Sequence, residues 1–570
     1  VSGPAEQEHA AFPVLSEEEI GVLRRYGEER EAEHGEVLFR AGDPTYDFIV
    51  VLSGKAAVID AYGTRHERVM HEYGPGGFLG EYNLLSGQAA YLTAAMTEAG
   101  AVLDVPPDRL REVIGSEPVL SEVILRAFLL RRSILLGEGV GLRIVGSRFS
   151  ADTRRLLEFA ARNRLPYGWV DLEQDEVAEA MLRHFEISPE ETPVVIIGEQ
   201  ILRNPSNAEF AQVIGISPSP PEGGVCDLVV VGAGPAGLAA SVYGASEGLS
   251  TMALERIAVG GQAGTSMRIE NYLGFPAGLT GAELAARAEL QAKKFGATIT
   301  IPSEAVGLEV RDGVHAVKLE NGEELLARSV ILANGVDYRR LPVERLEEFE
   351  GLGVFYEATL AELIMCAGSP VVVVGGGNSA GQAALFLARR TAGVKLVVRE
   401  DDLSEFMSRY LIEQIEAEER IEVLLDSEVE QLCGEGELES VVVRHHADQS
   451  RQELPAKAMF VFIGAEPHTD WLRDAVRLDE RGFVLTGRDL PVDPGRERDY
   501  QPLETSREGV FAAGDIRSGS IKRVASAVGE GSMAVRLAYE HLSRTGQGPL
   551  ERDEQDDGEG LAALAEERSR

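Results

Sequence analysis

The sequence predicts a multidomain chain: an N-terminal β-roll, a compact α/β unit, and two doubly wound α/β domains with parallel sheets. Three observations predict it. The seams Gly137-Glu-Gly-Val-Gly141 and Ser217-Pro-Ser-Pro-Pro-Glu-Gly-Gly224 are too rich in breakers to lie inside elements. Short strand-like runs precede the first seam, whereas strands and helices alternate at length after the second, the pattern of parallel sheet. Two apolar strands, Asp227-Leu-Val-Val-Val231 and Val371-Val-Val-Val374, each run straight into a glycine-rich turn and a helix.

The first part, residues 1–136, carries Phe48-Ile-Val-Val-Leu52 and Ala56-Ala-Val-Ile59, broken by Gly42-Asp43, Gly54 and Gly74-Pro-Gly-Gly77. A helical stretch, Pro118–Leu136, closes it. Residues 141–216 read as strand, helix, strand, helix, strand: Leu142–Val145, Asp152–Asn163, Tyr167–Leu172, Asp175–His184 and Val194–Gly198. The end, residues 546–570 with Glu551-Arg-Asp-Glu-Gln-Asp-Asp557, is acidic and reads as a solvated extension.

Composition limits the function. Of the 570 residues 44% are apolar, enough to bury several cores, and the net charge is −39. Such a surface repels phosphate backbones and anionic lipids, which excludes nucleic-acid and membrane-surface partners. The three cysteines, Cys226, Cys366 and Cys433, are far apart in sequence, which argues against a disulfide scaffold or a zinc site; no metal is expected. No apolar run approaches the ~20 residues of a membrane span, and no basic-then-apolar leader follows Val1. A cytoplasmic location is the expectation.

The chemistry sits in the glycine-rich turns. After Val231 comes Gly232-Ala-Gly234-Pro-Ala-Gly237, then a helix over Leu238–Glu247. These glycines let the backbone approach a pyrophosphate, and the helix N-terminus supplies N–H donors for it. Glu255, after Met252-Ala-Leu254, is placed to accept both ribose hydroxyls. The pattern recurs at Gly375-Gly-Gly377-Asn-Ser379-Ala380 and a helix over Gly381–Arg389. There the next strand, Lys395–Val398, ends at Arg399, which would meet a 2′-phosphate and favours NADPH; Glu400-Asp401-Asp402 would repel that phosphate and keeps NADH open. Val510-Phe-Ala-Ala-Gly514-Asp515 ends a further strand with a carboxylate suited to a flavin's ribityl or pyrophosphate region. The small-residue helix over Ala527–Ala534 would aim its N-terminus at the flavin ring. Two such sites in one chain point to FAD exchanging electrons with a nicotinamide.

From about Cys226 to Thr545 the chain resembles the low-molecular-weight bacterial thioredoxin reductases. The resemblance rests on the first fingerprint, Gly260-Gly-Gln262 with Glu270-Asn271-Tyr-Leu-Gly-Phe-Pro276, Leu332-Ala-Asn-Gly335, Gly375–Ala380, and Gly509–Asp515 followed by Lys522-Arg523-Val524. It implies an FAD domain, 225–340 and 467–545, split by an inserted NADPH domain, 341–466. It also implies a homodimer and a swivel that alternately offers nicotinamide or a redox disulfide to the flavin. FAD would be held by Gly232, Gly234, Gly237, Glu255, Gln262, Asn271, Asp515, Arg523 and Val524, and NADPH by Gly375, Gly377, Ser379 and Arg399.

The chain departs from that family where sulfur matters. A Cys-Ala-Thr-Cys motif is expected after the Gly353-Val pair, but the stretch reads Gly353-Val-Phe-Tyr-Glu357-Ala-Thr-Leu360. Neither the carboxylate of Glu357 nor the isobutyl of Leu360 can exchange a disulfide. In one domain orientation Glu357 would sit near the flavin face, where its bland reading is an inert surface carboxylate; Cys366 reads as packing. Residues 142–197 resemble a glutaredoxin or thioredoxin-like domain, with Pro193 at the family's cis-proline but Ser150 and Thr153 at its cysteines. Hydroxyls there cap a helix.

Residues from about 15 to 135 resemble cyclic-nucleotide-binding domains through Gly35-Glu-Val-Leu-Phe-Arg-Ala-Gly42-Asp43, Val51-Leu-Ser-Gly54 and Phe78-Leu-Gly80-Glu81. The family's phosphate-binding Arg would fall at Ala90, and no basic residue lies in Asn83–Thr93. Losing that charged contact costs about 1.5–3 kcal/mol, so cyclic-nucleotide binding is not expected. The whole chain reads as an FAD-dependent NAD(P)H oxidoreductase that passes electrons to a redox protein or small acceptor instead of its own dithiol. The alternatives are a redox or nucleotide sensor without turnover, and a thioredoxin reductase that borrows another chain's cysteines.

Overall fold

The computed structural model describes residues 10–546 apart from 66, 175–186, 199, 218–223, 267–268, 270, 312, 351–352, 357, 359–362, 364–365 and 493–498. The expected helix Asp175–His184, most of the second seam and all but the first residue of the acidic extension therefore lie outside the described residues.

The first part is two four-stranded antiparallel sheets. One runs in the order Glu28–Ala32, Gly100–Val105, Phe48–Val51, Phe78–Leu79, and the other Val37–Phe39, Thr93–Glu98, Lys55–Asp60, Arg68–Tyr73. Phe48, Phe78 and Phe128 are fully buried between the sheets and the closing helix. That helix, Pro118–Glu138, runs through Gly137 and stops at Gly139, whose φ of 60° ends it in the left-handed conformation. The first seam thus begins two residues later than the glycine spacing predicts, because an α-helix tolerates one glycine in its last turn.

The second part has a mixed four-stranded sheet in the order Tyr167–Asp171, Leu142–Gly146, Val194–Ile197, Gln200–Arg203. Only the first pair is parallel. Helix Ala151–Arg162 is capped by Ser150, whose Oγ accepts from the Thr153 backbone at 3.3 Å. The strand Gln200–Arg203 and the helix Asn207–Val213 extend the unit beyond its sequence reading. A polar edge strand carries no apolar alternation to announce it.

The third part is a seven-stranded sheet. Thr298–Thr300, Thr251–Leu254, Val225–Val231 and Glu324–Leu332 run parallel, and Val314–Leu319 and Ala305–Arg311 add an antiparallel edge. Val510–Ala512 returns late in the chain to pair with Val330–Leu332. Between these visits the chain builds a five-stranded parallel sheet, ordered Val354–Phe355, Ala458–Val461, Pro370–Val374, Gly393–Val397, Ile421–Leu424, beside a three-stranded antiparallel one. Two short strands, Val336–Tyr338 and Ala465–Pro467, pair antiparallel where the chain crosses between the two sheets.

The parts share packing. One apolar cluster joins Leu142, Ile144 and Phe159 of the second part to Leu228, Ala297 and Ile299 of the third. The helix Gly281–Lys294 lies against the first part, where Lys294 donates to Ser121 Oγ at 3.3 Å. Among the described residues no helix is long and apolar enough to cross a membrane.

Candidate functional site

Both glycine-rich turns open into one cavity of 1940 Å³. At the first, Gly232 has a φ of 103°, and a Cβ there would stand 2.4 Å from the Ala333 carbonyl oxygen. A Cβ on Gly237 would stand 1.8 Å from the Gly232 oxygen, so the turn closes only with glycine at both places. Gly234 caps the helix Pro235–Ser246 and has nothing but Gly261 Cα, at 3.9 Å, in front of it. This is the bare backbone cradle that a pyrophosphate needs.

Glu255 follows the strand Thr251–Leu254 and is buried. Its carboxylate accepts from the backbone N–H groups of Ala233 at 2.7 Å, Ile257 at 2.9 Å and Ala258 at 3.3 Å. Burial raises its pKa, and those three donors oppose the rise. Holding the turn uses three of about four lone-pair sites on the carboxylate, and Oε2 accepts only one of these bonds. Three polar atoms of cavity-lining residues, Gln262 Oε1, Ser303 Oγ and Asn334 Oδ1, are buried without a hydrogen-bond partner among the described residues. Desolvated atoms of this kind want a ligand.

The other expected flavin residues, Asn271, Asp515, Arg523 and Val524, line the same cavity. Burial raises the Asp515 pKa, and Lys522 counters it. The N-terminus of the helix Val524–Arg544 opens on the cavity through Val524 and Ala527. The donor set and the glycine cradle fit FAD, which Gly232, Gly234, Gln262 and Asp515 would hold.

The second turn repeats the first in register. Gly375 N donates to the Val397 oxygen at 2.9 Å, as Gly232 N donates to the Leu254 oxygen at 2.7 Å. Val397 therefore corresponds to Leu254, and Val398 to Glu255. Gly375, Gly377 and Ser379 line the cavity as expected. Arg399 also lines the cavity, with its side chain 76% exposed and paired with Glu400 Oε1 at 3.2 Å. The carboxylate that turns back to the glycines is Glu400, 19% exposed, with Oε2 3.0 Å from where a Cβ on Gly376 would be. Arg399 and Glu400 thus stand side by side at the second turn, the cation the sequence expects there and a carboxylate that reaches toward Gly376. An arginine held by its neighbouring acid is a weak anion site.

Glu357 and Leu360 lie outside the described residues, but Ala358 between them is buried and lines the cavity. The sulfurs are dispersed. Cys366 is fully buried in the core of the inserted domain, Cys226 sits in the first strand with its thiol pushed up to about 11 by burial, and Cys433 is in the three-stranded sheet. None is disulfide-bonded.

Two features escaped the sequence. His468 follows the crossing strand Ala465–Pro467 and bridges Asp337 of the other crossing strand, at 3.1 Å, to Glu304, at 3.2 Å. Asp337 raises its pKa, and all three line the cavity. A lone histidine after a proline carries no motif. The other feature is Arg162, which lines the cavity from the second part.

In the β-roll, Ala90 is buried and its backbone already bonds: Ala90 N to the Asp43 oxygen at 2.9 Å and Gly42 N to the Ala90 oxygen at 2.8 Å. Ala89 N donates to Ile214 of the second part at 3.1 Å. A Cβ on Gly215 would stand 2.4 Å from the Gly87 oxygen, so that part presses on the cassette. Desolvation pushes the Glu81 carboxyl up to about 7 against Arg131 and Arg132, which come from the closing helix and not from the cassette.

Known proteins carry the same arrangement. Residues 226–531 match the family described as pyridine nucleotide-disulphide oxidoreductase, and the chain belongs to that family. Residues 29–117 match the cyclic nucleotide-binding domain family. Within the larger region the chain is similar to thioredoxin reductases. It is 34% identical over 321 residues to the thioredoxin reductase of Treponema pallidum, covering 55% of this chain and 97% of that one. It is 32% identical over 324 residues, covering 55% and 97%, to a 34.2 kDa protein in the rubredoxin operon of Clostridium pasteurianum. The crystal structure of Lactococcus lactis thioredoxin reductase superposes with a TM-score of 0.51 at 28% identity, covering 56% of this chain and 99% of that one. The chain is thus a thioredoxin reductase-like flavin oxidoreductase in which no cysteine pair is seen among the described residues.

Proposed function

We propose that the chain oxidises NADH through FAD and passes the electrons to a redox protein or quinone-like acceptor, not to a disulfide of its own. One observation carries this reading: two dinucleotide cradles share a cavity in a chain whose three sulfurs sit in separate places. A bound flavin takes hydride from a reduced nicotinamide and releases electrons onward. The chain's residues bind and orient: the glycine turns seat the pyrophosphates, and Glu255 braces the first turn.

NADH replaces the NADPH expectation because Glu400 occupies the second turn. Its carboxylate accepts ribose hydroxyls and repels a 2′-phosphate, with Asp401 and Asp402 adding to the repulsion. Residues 141–216 form, on this reading, a thioredoxin-like unit without its cysteines. Gly146 packs where a Cβ would meet Thr153 Oγ1 at 2.4 Å and Pro193 Cβ at 2.9 Å, which supports that likeness. The β-roll takes no cyclic nucleotide on this reading, since Ala90 stands where the phosphate-binding arginine is expected and the Ala89 and Ala90 N–H groups are bonded within the chain.

Anaerobic mixing of the FAD-loaded protein with each coenzyme tests the reading. NADH bleaches the flavin at least tenfold faster than NADPH at equal low concentration. A protein that takes up no FAD, or reduces a disulfide substrate at high turnover, overturns it.

A further inference from the structure

One wall of the flavin cleft comes from outside the region that matches the oxidoreductase family, which begins at residue 226. It is the turn Arg162-Asn-Arg164, at the end of the helix Ala151–Arg162 in the second part. Arg162 lines the cavity with Glu255, Arg256, Ile257 and Ala258, at the end where a ribose would meet Glu255. Its side chain is 20% exposed and pairs at 3.5 Å with Glu158, which is 64% exposed. Its positive charge also acts on Glu255 and favours the ionised carboxyl there.

The turn is locked to the flavin domain on both sides of Arg162. Helix end and strand end meet where Asn163 Nδ2 donates to the Ile257 oxygen at 3.0 Å. Next to it the Arg164 guanidinium donates to the Ala282 oxygen. Arg132, from the closing helix of the β-roll, holds the turn from behind, donating to the Asn163 oxygen at 3.3 Å and the Arg164 oxygen at 3.1 Å. A guanidinium so placed offers a flat face for a purine and several donors for ring nitrogens or ribose oxygens. An exposed surface pair with Glu158 gains little by comparison.

We propose that Arg162 is a flavin-binding residue supplied by the second part, meeting the adenosine half of the dinucleotide beside Glu255. The inference rests on the reading that the Gly232 cradle holds FAD. By linkage, FAD then tightens the docking of the turn, and through Arg132 that of the β-roll. The N-terminal half is on this account a clamp on the cofactor.

The test titrates FAD into flavin-stripped protein and follows flavin fluorescence, for the full chain and for R162A, with R162Q as the variant that keeps more of the side-chain stem. Both variants weaken FAD tenfold or more while the Kd for NADH is unchanged. Hydrogen exchange gives a second readout: FAD slows exchange of backbone amides around residues 159–164 in the unsubstituted protein and fails to do so in R162A. A merely structural arginine would instead lower the melting temperature of the flavin-free protein and leave the FAD Kd alone. Variants binding FAD within twofold of the parent, or a turn whose exchange ignores FAD, overturn the role of Arg162. A parent protein that takes up no FAD overturns both the inference and the reading beneath it.

Discussion

The cleft between the two glycine turns and the cassette of the β-roll lie in regions that match the pyridine nucleotide-disulphide oxidoreductase and cyclic nucleotide-binding families, and their interiors differ. In the cleft, Gln262, Ser303 and Asn334 keep buried polar atoms without partners among the described residues, and bare glycine backbone faces open space. In the cassette, the backbone of Ala89 and Ala90 is satisfied by Ile214 and Asp43, and the side chains there are buried alanines. The difference lies in how much hydrogen-bonding capacity each place leaves open. Unspent hydrogen-bonding capacity in a cavity is what a bound ligand would satisfy.

The comparison breaks most sharply at the glycines. Gly237→Ala puts a methyl 1.8 Å from the Gly232 oxygen and removes FAD binding, read as colourless purified protein. Gly375→Ala meets the Phe462 oxygen at 2.3 Å and, in a FAD-loaded protein, abolishes flavin reduction by either coenzyme without bleaching the preparation. Glu400→Arg comes next. It should reverse the coenzyme preference, raising NADPH over NADH at least tenfold in kcat/KM, because one repulsive charge becomes an attractive one.

The cassette is probed through Glu81. Its folded carboxyl titrates near 7 instead of 4.5, so the folded state holds a proton that the unfolded chain has lost. Stability therefore falls as pH rises from about 4.5 to about 7, and the penalty is constant above that. Glu81→Gln flattens this slope in urea melts across that range. Cyclic AMP added to the parent protein leaves its melting temperature unmoved; a rise of several degrees would reopen the cassette. The smallest effect belongs to Cys366→Ser, which leaves the flavin-reduction rate within twofold, because that sulfur packs in the core of the inserted domain.

Much of the site is local and was therefore readable. Strand, glycine turn and helix are consecutive residues, and their spacing announces a pyrophosphate cradle before any packing is known. Glu357 and Leu360, where the resemblance implies cysteines, are equally plain in the letters. Arg399 shows the limit. The spacing of residues puts an arginine at the strand end, yet the choice between Arg399 and its neighbour Glu400 depends on which side chain turns back toward Gly376.

The sequence by itself determined the two nucleotide turns, the β-roll and the lack of an adjacent sulfur pair, since each depends on residue types at short spacing. Only the tertiary structure decided that Glu400 faces the second turn, that His468 bridges Asp337 and Glu304 at the crossing strands, that Ile214 covers the cassette, and that Arg162 enters the flavin cleft. These are encounters between segments far apart along the chain, or choices between neighbouring side chains. Packing of several cores against one another settles them, and no local pattern encodes that packing.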